Sequence, residues 1–217
     1  MPRFELPRYI AIEGPIRVGK SSLARLLAEK LHARRVLDAE DNPFLKEFYD
    51  EEPAAAFCAQ MYFLVHRYRQ LKELDLASDP RSVIVADYIF EKDKLFAYIN
   101  LEDKELELYD SYYEHFRADL PTPDLVIYLQ ATPEVLQKRI AKHSDPKEAE
   151  ISREYIEEVV RAYEHFFFHY TASDLLVINT SEIDFVDRND DLRELLRRLA
   201  EPVKGTQYFL PLGSETD

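Results

Sequence analysis

The chain has 217 residues, room for one α/β domain with a full core, and its 46% hydrophobic and 32% charged residues are ordinary for a globular protein. Acidic residues outnumber basic ones 42 to 28, a net charge of −14, which argues against a nucleic-acid polymer as partner, because its phosphate backbone calls for a basic face. A single cysteine, Cys58, excludes an intrachain disulfide, and no apolar run reaches the length of a membrane span; with no signal peptide ahead of the first strand, a soluble cytoplasmic protein is expected.

Short β-rich segments alternate with longer helical ones, the pattern of an α/β protein whose parallel sheet is covered on both faces. Tyr9–Ile12 predicts the first strand, and the spacing of Leu23, Leu26, Leu27 and Leu31 predicts a helix over Lys20–Leu31. A second strand at Arg34–Leu37 leads to helices at Pro43–Asp50 and Ala54–Leu76. A third strand at Ser82–Ala86 is followed by helical stretches at Tyr88–Ile99 and Leu101–Ala118. The fourth strand, Asp124–Leu129, precedes a helix at Pro133–Ala141 that Thr132 can cap and Pro133 can open. The polar segment Arg139–Glu150 would cover a ligand; the helix Arg153–Tyr170, a fifth strand at Leu175–Asn179 and a helix at Leu192–Leu199 follow. One domain is expected over residues 1–200, with residues 201–217 an irregular tail that carries Pro202, Gly205, Pro211 and Gly213.

Between the first strand and the first helix, Gly14-Pro15-Ile16-Arg17-Val18-Gly19-Lys20-Ser21 spells the phosphate-binding loop G-x-x-x-x-G-K-S. Its glycines let backbone N–H groups turn inward around a phosphate, and Ser22 continues into a helix whose N-terminus adds partial positive charge. Lys20 would reach the β- and γ-phosphates, and Ser21 would supply a hydroxyl to Mg²⁺. A nucleoside triphosphate is therefore the expected ligand. Ligands of open α/β sheets lie beyond the carboxyl ends of the strands, which adds Asp38–Asp41 after strand two and Asp87 after strand three to the candidate site.

Asp41-Asn42-Pro43-Phe44-Leu45-Lys46-Glu47-Phe48-Tyr49, followed by Gln60-Met61-Tyr62-Phe63-Leu64 and Arg67, resembles the deoxynucleoside kinases, the deoxyadenosine/deoxyguanosine branch especially. Asp87, Asp93, Phe96 and Ala97 fall at the spacings of that family's aspartate-arginine-serine segment, and Glu148-Ala149-Glu150-Ile151-Ser152-Arg153-Glu154-Tyr155 is similar to its lid and following helix. The resemblance runs from Tyr9 to Phe168. It implies a P-loop kinase fold, with a five-stranded parallel sheet in the order 2-3-1-4-5, flanking helices and a short lid. It also implies Mg²⁺ with ATP, a deoxynucleoside acceptor phosphorylated on its 5′-hydroxyl, and a homodimer.

The site residues follow from the chemistry and the resemblance together. A carboxylate must orient the 5′-hydroxyl and accept its proton, and Asp38 and Glu40 both qualify, with the spacing to Asn42-Pro43 favouring Asp38 slightly. Asp87 would join Ser21 at Mg²⁺. Gln60, whose amide offers a donor and an acceptor side by side, would read the nucleobase, with Phe63 and Arg67 on the same helix and Phe44, Tyr62 and Phe96 as apolar walls. Tyr49 and Glu148 resemble the pair that holds the sugar 3′-hydroxyl, and Arg139 is the candidate transition-state arginine on the ATP side.

Three departures from the family pattern stand out. Tyr88 follows Asp87 where the family has arginine, and tyrosine supplies neither the charge nor the fork; Arg67 is one candidate substitute. His143 and Asp145 occupy lid positions where arginines clamp the triphosphate, with Lys142 and Lys147 as partial compensation, and Asp38 stands where many relatives place glutamate. A nucleoside monophosphate kinase of the thymidylate type, in which Arg67 or Arg69 would receive the acceptor phosphate, and a non-catalytic nucleotide-binding regulator are the alternative readings.

Overall fold

The structure, a computed structural model, describes residues 7–39, 41–50, 52–74, 76, 82–143 and 151–211. In chain order the elements are β1 (Tyr9–Glu13), α1 (Lys20–Leu31), β2 (Arg34–Val36), α2 (Leu45–Tyr49), α3 (Ala55–Lys72), β3 (Ile84–Ala86), α4 (Lys92–Asn100), α5 (Asp103–Arg117), β4 (Leu125–Gln130), α6 (Pro133–His143), α7 (Arg153–Phe168), β5 (Asp174–Asn179), α8 (Asn189–Leu199) and β6 (Thr206–Phe209). The strands form one sheet in the order β2-β3-β1-β4-β5-β6, parallel at every pairing.

A parallel sheet needs both faces covered, and the strands read accordingly as near-continuous apolar runs. All five residues of β1 are buried, and its alternate side chains go to opposite faces. Tyr9 and Ala11 join a core with Leu64 and Leu71 of α3, Tyr109 and Tyr113 of α5, and Tyr163 and Phe167 of α7. Ile10 and Ile12 join a second core with Leu23 and Leu27 of α1, Leu136 and Ile140 of α6, and Leu195 of α8. Helix α7 serves both, because Ile156 and Val160 pack on the second side while Val159 and Tyr163 pack on the first.

The sheet order over five strands is the expected one, and α1 has the expected bounds. The sheet has six strands, however, and the expected irregular tail contains the sixth. Thr206–Phe209 pairs with β5 in the register Leu175↔Thr206 to Ile178↔Phe209, and Phe209 packs on the second core while Tyr208 faces outward. Strand β2 stops at Val36, where Asp87 donates its backbone N–H to the Val36 carbonyl (3.1 Å), and the chain leaves the sheet as Leu37-Asp38. Among the described residues no helix is long and apolar enough to cross a membrane.

Candidate active site

The loop between β1 and α1 owes its shape to positions that exclude side chains. Gly14 has φ +148°, and a Cβ there would lie 2.4 Å from the Leu129 carbonyl oxygen; Gly19 has φ +110°, and its Cβ would lie 2.6 Å from the Phe185 ring. Arg17 between them also takes a positive φ, 56°, while Pro15 is buried and Ile16 packs on the second core beside the buried Val18. Lys20 opens α1 and folds back to donate to the Gly14 and Pro15 carbonyls (2.7 and 2.9 Å). Burial lowers its ammonium to about 8, and Lys92 pushes the same way, against Glu13, Asp87 and Asp38. Ser22 is half-buried behind the loop, at the first turn of the helix.

Three carboxylates converge around this loop. Glu13, the last residue of β1, is fully buried; its Oε1 accepts from the Gly14 N–H (2.8 Å) and the Tyr163 hydroxyl (3.0 Å), and its Oε2 accepts from the Ile89 N–H (3.0 Å). A charged residue at the end of an apolar strand was the available signal for it, and its role as a strut for the loop was missed. Asp87, after β3, accepts the Ser21 hydroxyl on Oδ2 (2.6 Å) and the Asp38 N–H on Oδ1 (2.7 Å). Hydroxyl and carboxylate oxygens are the hard donors that suit Mg²⁺, which takes few protein ligands and otherwise phosphate and water, so Ser21 and Asp87 fit that ion.

Asp38 lies at the centre of a charge network. Arg67 of α3 grips it with a fork, Nε to Oδ1 and Nη2 to Oδ2 (both 2.8 Å), and Lys92 of α4 donates to Oδ2 (2.7 Å). Burial alone would raise the Asp38 carboxyl, but Lys92 and Arg67 override it and hold the group well below the usual carboxylate range. The remaining arm of Arg67, Nη1, donates to Oδ1 of the fully buried Asp93 (2.6 Å). Burial raises Asp93 to about 7 although Arg67 opposes the shift. Lys92, which had no motif to mark it, is the second residue missed in the sequence. Glu40, the other candidate base, and the lid residues Asp145, Lys147 and Glu148 lie outside the described residues.

Beyond this network lie the remaining candidate side chains of α3 and its neighbours. Gln60 is 6% exposed and its Oε1 has no partner among the described residues; Oδ2 of Asp93 is likewise buried and unpaired among them. A buried acceptor without a donor costs free energy until something supplies one. Phe63 lies beneath the Arg67 guanidinium (4.7 Å to the ring centroid), and Phe96 of α4 packs edge-on to Tyr163 with the Lys92 ammonium 5.9 Å from its ring. Phe44 and Tyr62 meet edge to face (6.3 Å) at the rim, and Tyr49 ends α2 there, 37% exposed. Asn42 ties this rim together by donating to the Ala59 carbonyl (2.9 Å) and accepting the Phe44 N–H (3.0 Å).

Two further candidate positions are engaged in bonds within the chain. Tyr88 is fully buried, its hydroxyl bonded to Gln70, and Gln70 in turn donates to the Leu37 carbonyl (2.9 Å). Arg139 of α6 spends Nη2 on the Thr180 and Ile183 carbonyls (2.7 and 3.1 Å) and Nη1 on Thr180 Oγ1 and the Val18 carbonyl (3.2 and 3.4 Å), which braces the phosphate loop against the turn after β5.

A parallel sheet with a glycine-lysine-serine loop at the carboxyl end of its central strand, and strand-end aspartates beside that loop, defines a P-loop phosphotransferase. The sequence profile of the family described as deoxynucleoside kinase matches residues 10–204. The chain is 34% identical over 199 residues to a deoxyguanosine kinase of Bacillus subtilis (strain 168), covering 89% of this chain and 96% of that one. It is 29% identical over 211 residues to a deoxyadenosine kinase of Lactobacillus acidophilus, covering 90% and 96% of the two chains. A solved deoxyadenosine kinase from M. mycoides with bound dATP has the same fold, with a TM-score of 0.73 at 24% identity over 88% of this chain and 98% of that one. This chain belongs to the deoxynucleoside kinase family, and its reaction is ATP-dependent phosphoryl transfer to a deoxynucleoside.

Proposed function

We propose that the chain phosphorylates a purine deoxynucleoside on its 5′-hydroxyl with Mg·ATP as donor, and that Asp38 is the carboxylate at the acceptor oxygen. The observation that carries this reading is the unbroken polar path from Ser21 through Asp87 and the Asp38 backbone to the Asp38 carboxylate, which joins the phosphate loop to the acceptor side. The 5′-oxygen attacks the γ-phosphorus, the bond from phosphorus to the β,γ-bridging oxygen breaks with its electron pair leaving on ADP, and the 5′-proton passes to Asp38 and on to solvent. A carboxylate as acidic as Asp38 is a weak base. In a loose transition state the acceptor loses its proton late, so orienting the hydroxyl is the larger part of its work. Mg²⁺, held by Ser21 and Asp87, would neutralise charge on the β- and γ-oxygens.

The donor side is assigned to Gly14–Ser22, with Lys20 turning from the loop carbonyls to the phosphates and Arg139 bracing the loop from the ATP side. The acceptor side is assigned to Gln60, Phe63, Arg67 and Phe96 for the base and Tyr49 with Glu148 for the sugar. The unpaired acceptors of Gln60 and Asp93 support a base that offers amino or imino donors, and the names of the relatives support a purine. A monophosphate acceptor is disfavoured because Arg67, the cation that would receive its phosphate, already serves Asp38 and Asp93.

The chain is proposed to act as a single domain in a reducing cytoplasm and as a homodimer. Helix α3 packs inside its own chain against α4 and α5 and shows no exposed large apolar side chain among its described residues. A groove between α4 and α7 lined by Tyr98, Ile99, Ala162 and Phe166, with Tyr98 57% exposed, is the better two-fold face. Incubation with Mg·ATP and the four common deoxynucleosides, beside their monophosphates, tests the function. Transfer to deoxyguanosine or deoxyadenosine is expected; transfer confined to a monophosphate, or none at all, refutes it.

A further inference from the structure

The position that resembles the family's arginine carries Tyr88, and Tyr88 is turned into the core with its hydroxyl on Gln70, so it brings no charge to the phosphoryl site. The charge arrives four residues later, where α4 begins. Lys92 is the first residue of α4, where the partial positive charge of the helix N-terminus opposes an ammonium. It is nevertheless mostly buried, with 14% of its side chain exposed, and its Nζ lies 2.7 Å from Oδ2 of Asp38. Its field reaches Lys20, whose ammonium it disfavours, and both lysines are held in turn by the field of Asp38.

Arg67 does not fill the same place. Its side chain is 4% exposed and its fork is shared between Asp38 and Asp93, which fixes it behind the carboxylate. An ammonium has three donors, and Asp38 takes one of those on Lys92. Resting on the function proposed above, we propose that Lys92 is the positioning cation of phosphoryl transfer. It holds the Asp38 carboxylate at the acceptor hydroxyl and supplies, from α4, the positive charge that Tyr88 does not.

Steady-state kinetics of Lys92→Met, Lys92→Gln and Lys92→Arg in the full chain test this, with melting temperatures measured with and without Mg·ATP. Lys92→Met and Lys92→Gln are expected to lower kcat about a hundredfold, as for removal of a charged transition-state donor. KM for nucleoside and ATP should stay within about threefold, and Lys92→Arg should recover most of the rate. The ATP-dependent rise in melting temperature should persist in all three. Either neutral variant suffices should the other not fold. A neutral variant with wild-type kcat, a loss confined to KM, or an arginine variant as slow as the neutral ones overturns the role of Lys92. A wild-type chain that phosphorylates no deoxynucleoside overturns the function itself, and the role of Lys92 with it.

Discussion

Asp38 accepts charge-assisted hydrogen bonds from two cations and stands one backbone N–H away from Asp87, so its replacement has consequences for both rate and stability. Asp38→Asn is expected to lower kcat by about two to three orders of magnitude while the thermal shift produced by ATP is retained; an active Asn variant would remove the assigned role. The same substitution leaves Arg67 and Lys92 facing an amide, at a cost of about 3 kcal/mol near pH 7. Because the folded state holds the Asp38 carboxyl below its unfolded value of about 3.9, this contribution is complete above that pH and is lost as pH falls toward the folded value. Urea midpoints of wild type and Asp38→Asn should therefore differ at neutral pH and approach each other below about pH 4. At the loop, Gly14→Ala puts a methyl group 2.4 Å from a main-chain oxygen of β4, which cannot rotate away. It should abolish the ATP-dependent thermal shift and lower stability by about 2 kcal/mol or more, read from the same urea midpoints.

The elements that read most clearly in the sequence are those whose pattern needs no partner to interpret it. Helix α1 has its apolar residues at helical spacing directly behind a glycine turn, and β1 is an apolar run that both faces of a parallel sheet accept. Strand β6 was illegible because Thr206–Phe209 is short, sits among Pro202, Gly205 and Pro211, and buries only alternate side chains at a sheet edge. Only the neighbouring β5 makes it a strand. Phe209→Ala is expected to lower stability by about 1–2 kcal/mol, about half the cost of emptying a fully buried phenylalanine site, and to speed amide exchange along Leu175–Ile178; unchanged exchange there would mean that β6 contributes no protection. In the site, the loop and the strand-end aspartates were legible because their chemistry is written in contiguous residues. Glu13, Lys92 and the fork of Arg67 were not, since each matters only through a residue distant in sequence that the fold brings beside it.

Across the whole molecule, on a chain of net charge −14, the cations Lys20, Arg67 and Lys92 stand among the carboxylates Asp38, Asp87 and Asp93, so attraction for a triphosphate rests on the loop and its individual cations and not on a basic surface. Assembly should depend on the α4–α7 face: light scattering is expected to give twice the chain mass for wild type and one chain mass for Tyr98→Glu, while a wild type of one chain mass excludes the dimer. The three arms of Arg67 tie Asp38 to Asp93. On the proposed assignment of the base to Gln60 and Asp93, laboratory selection for a new nucleobase would begin there, and any change at Asp93 would release an arm of the guanidinium that holds Asp38. Preference and speed should then be inherited as a single trait in this scaffold, and variants with altered taste should emerge slow until a second change restrains Arg67 again.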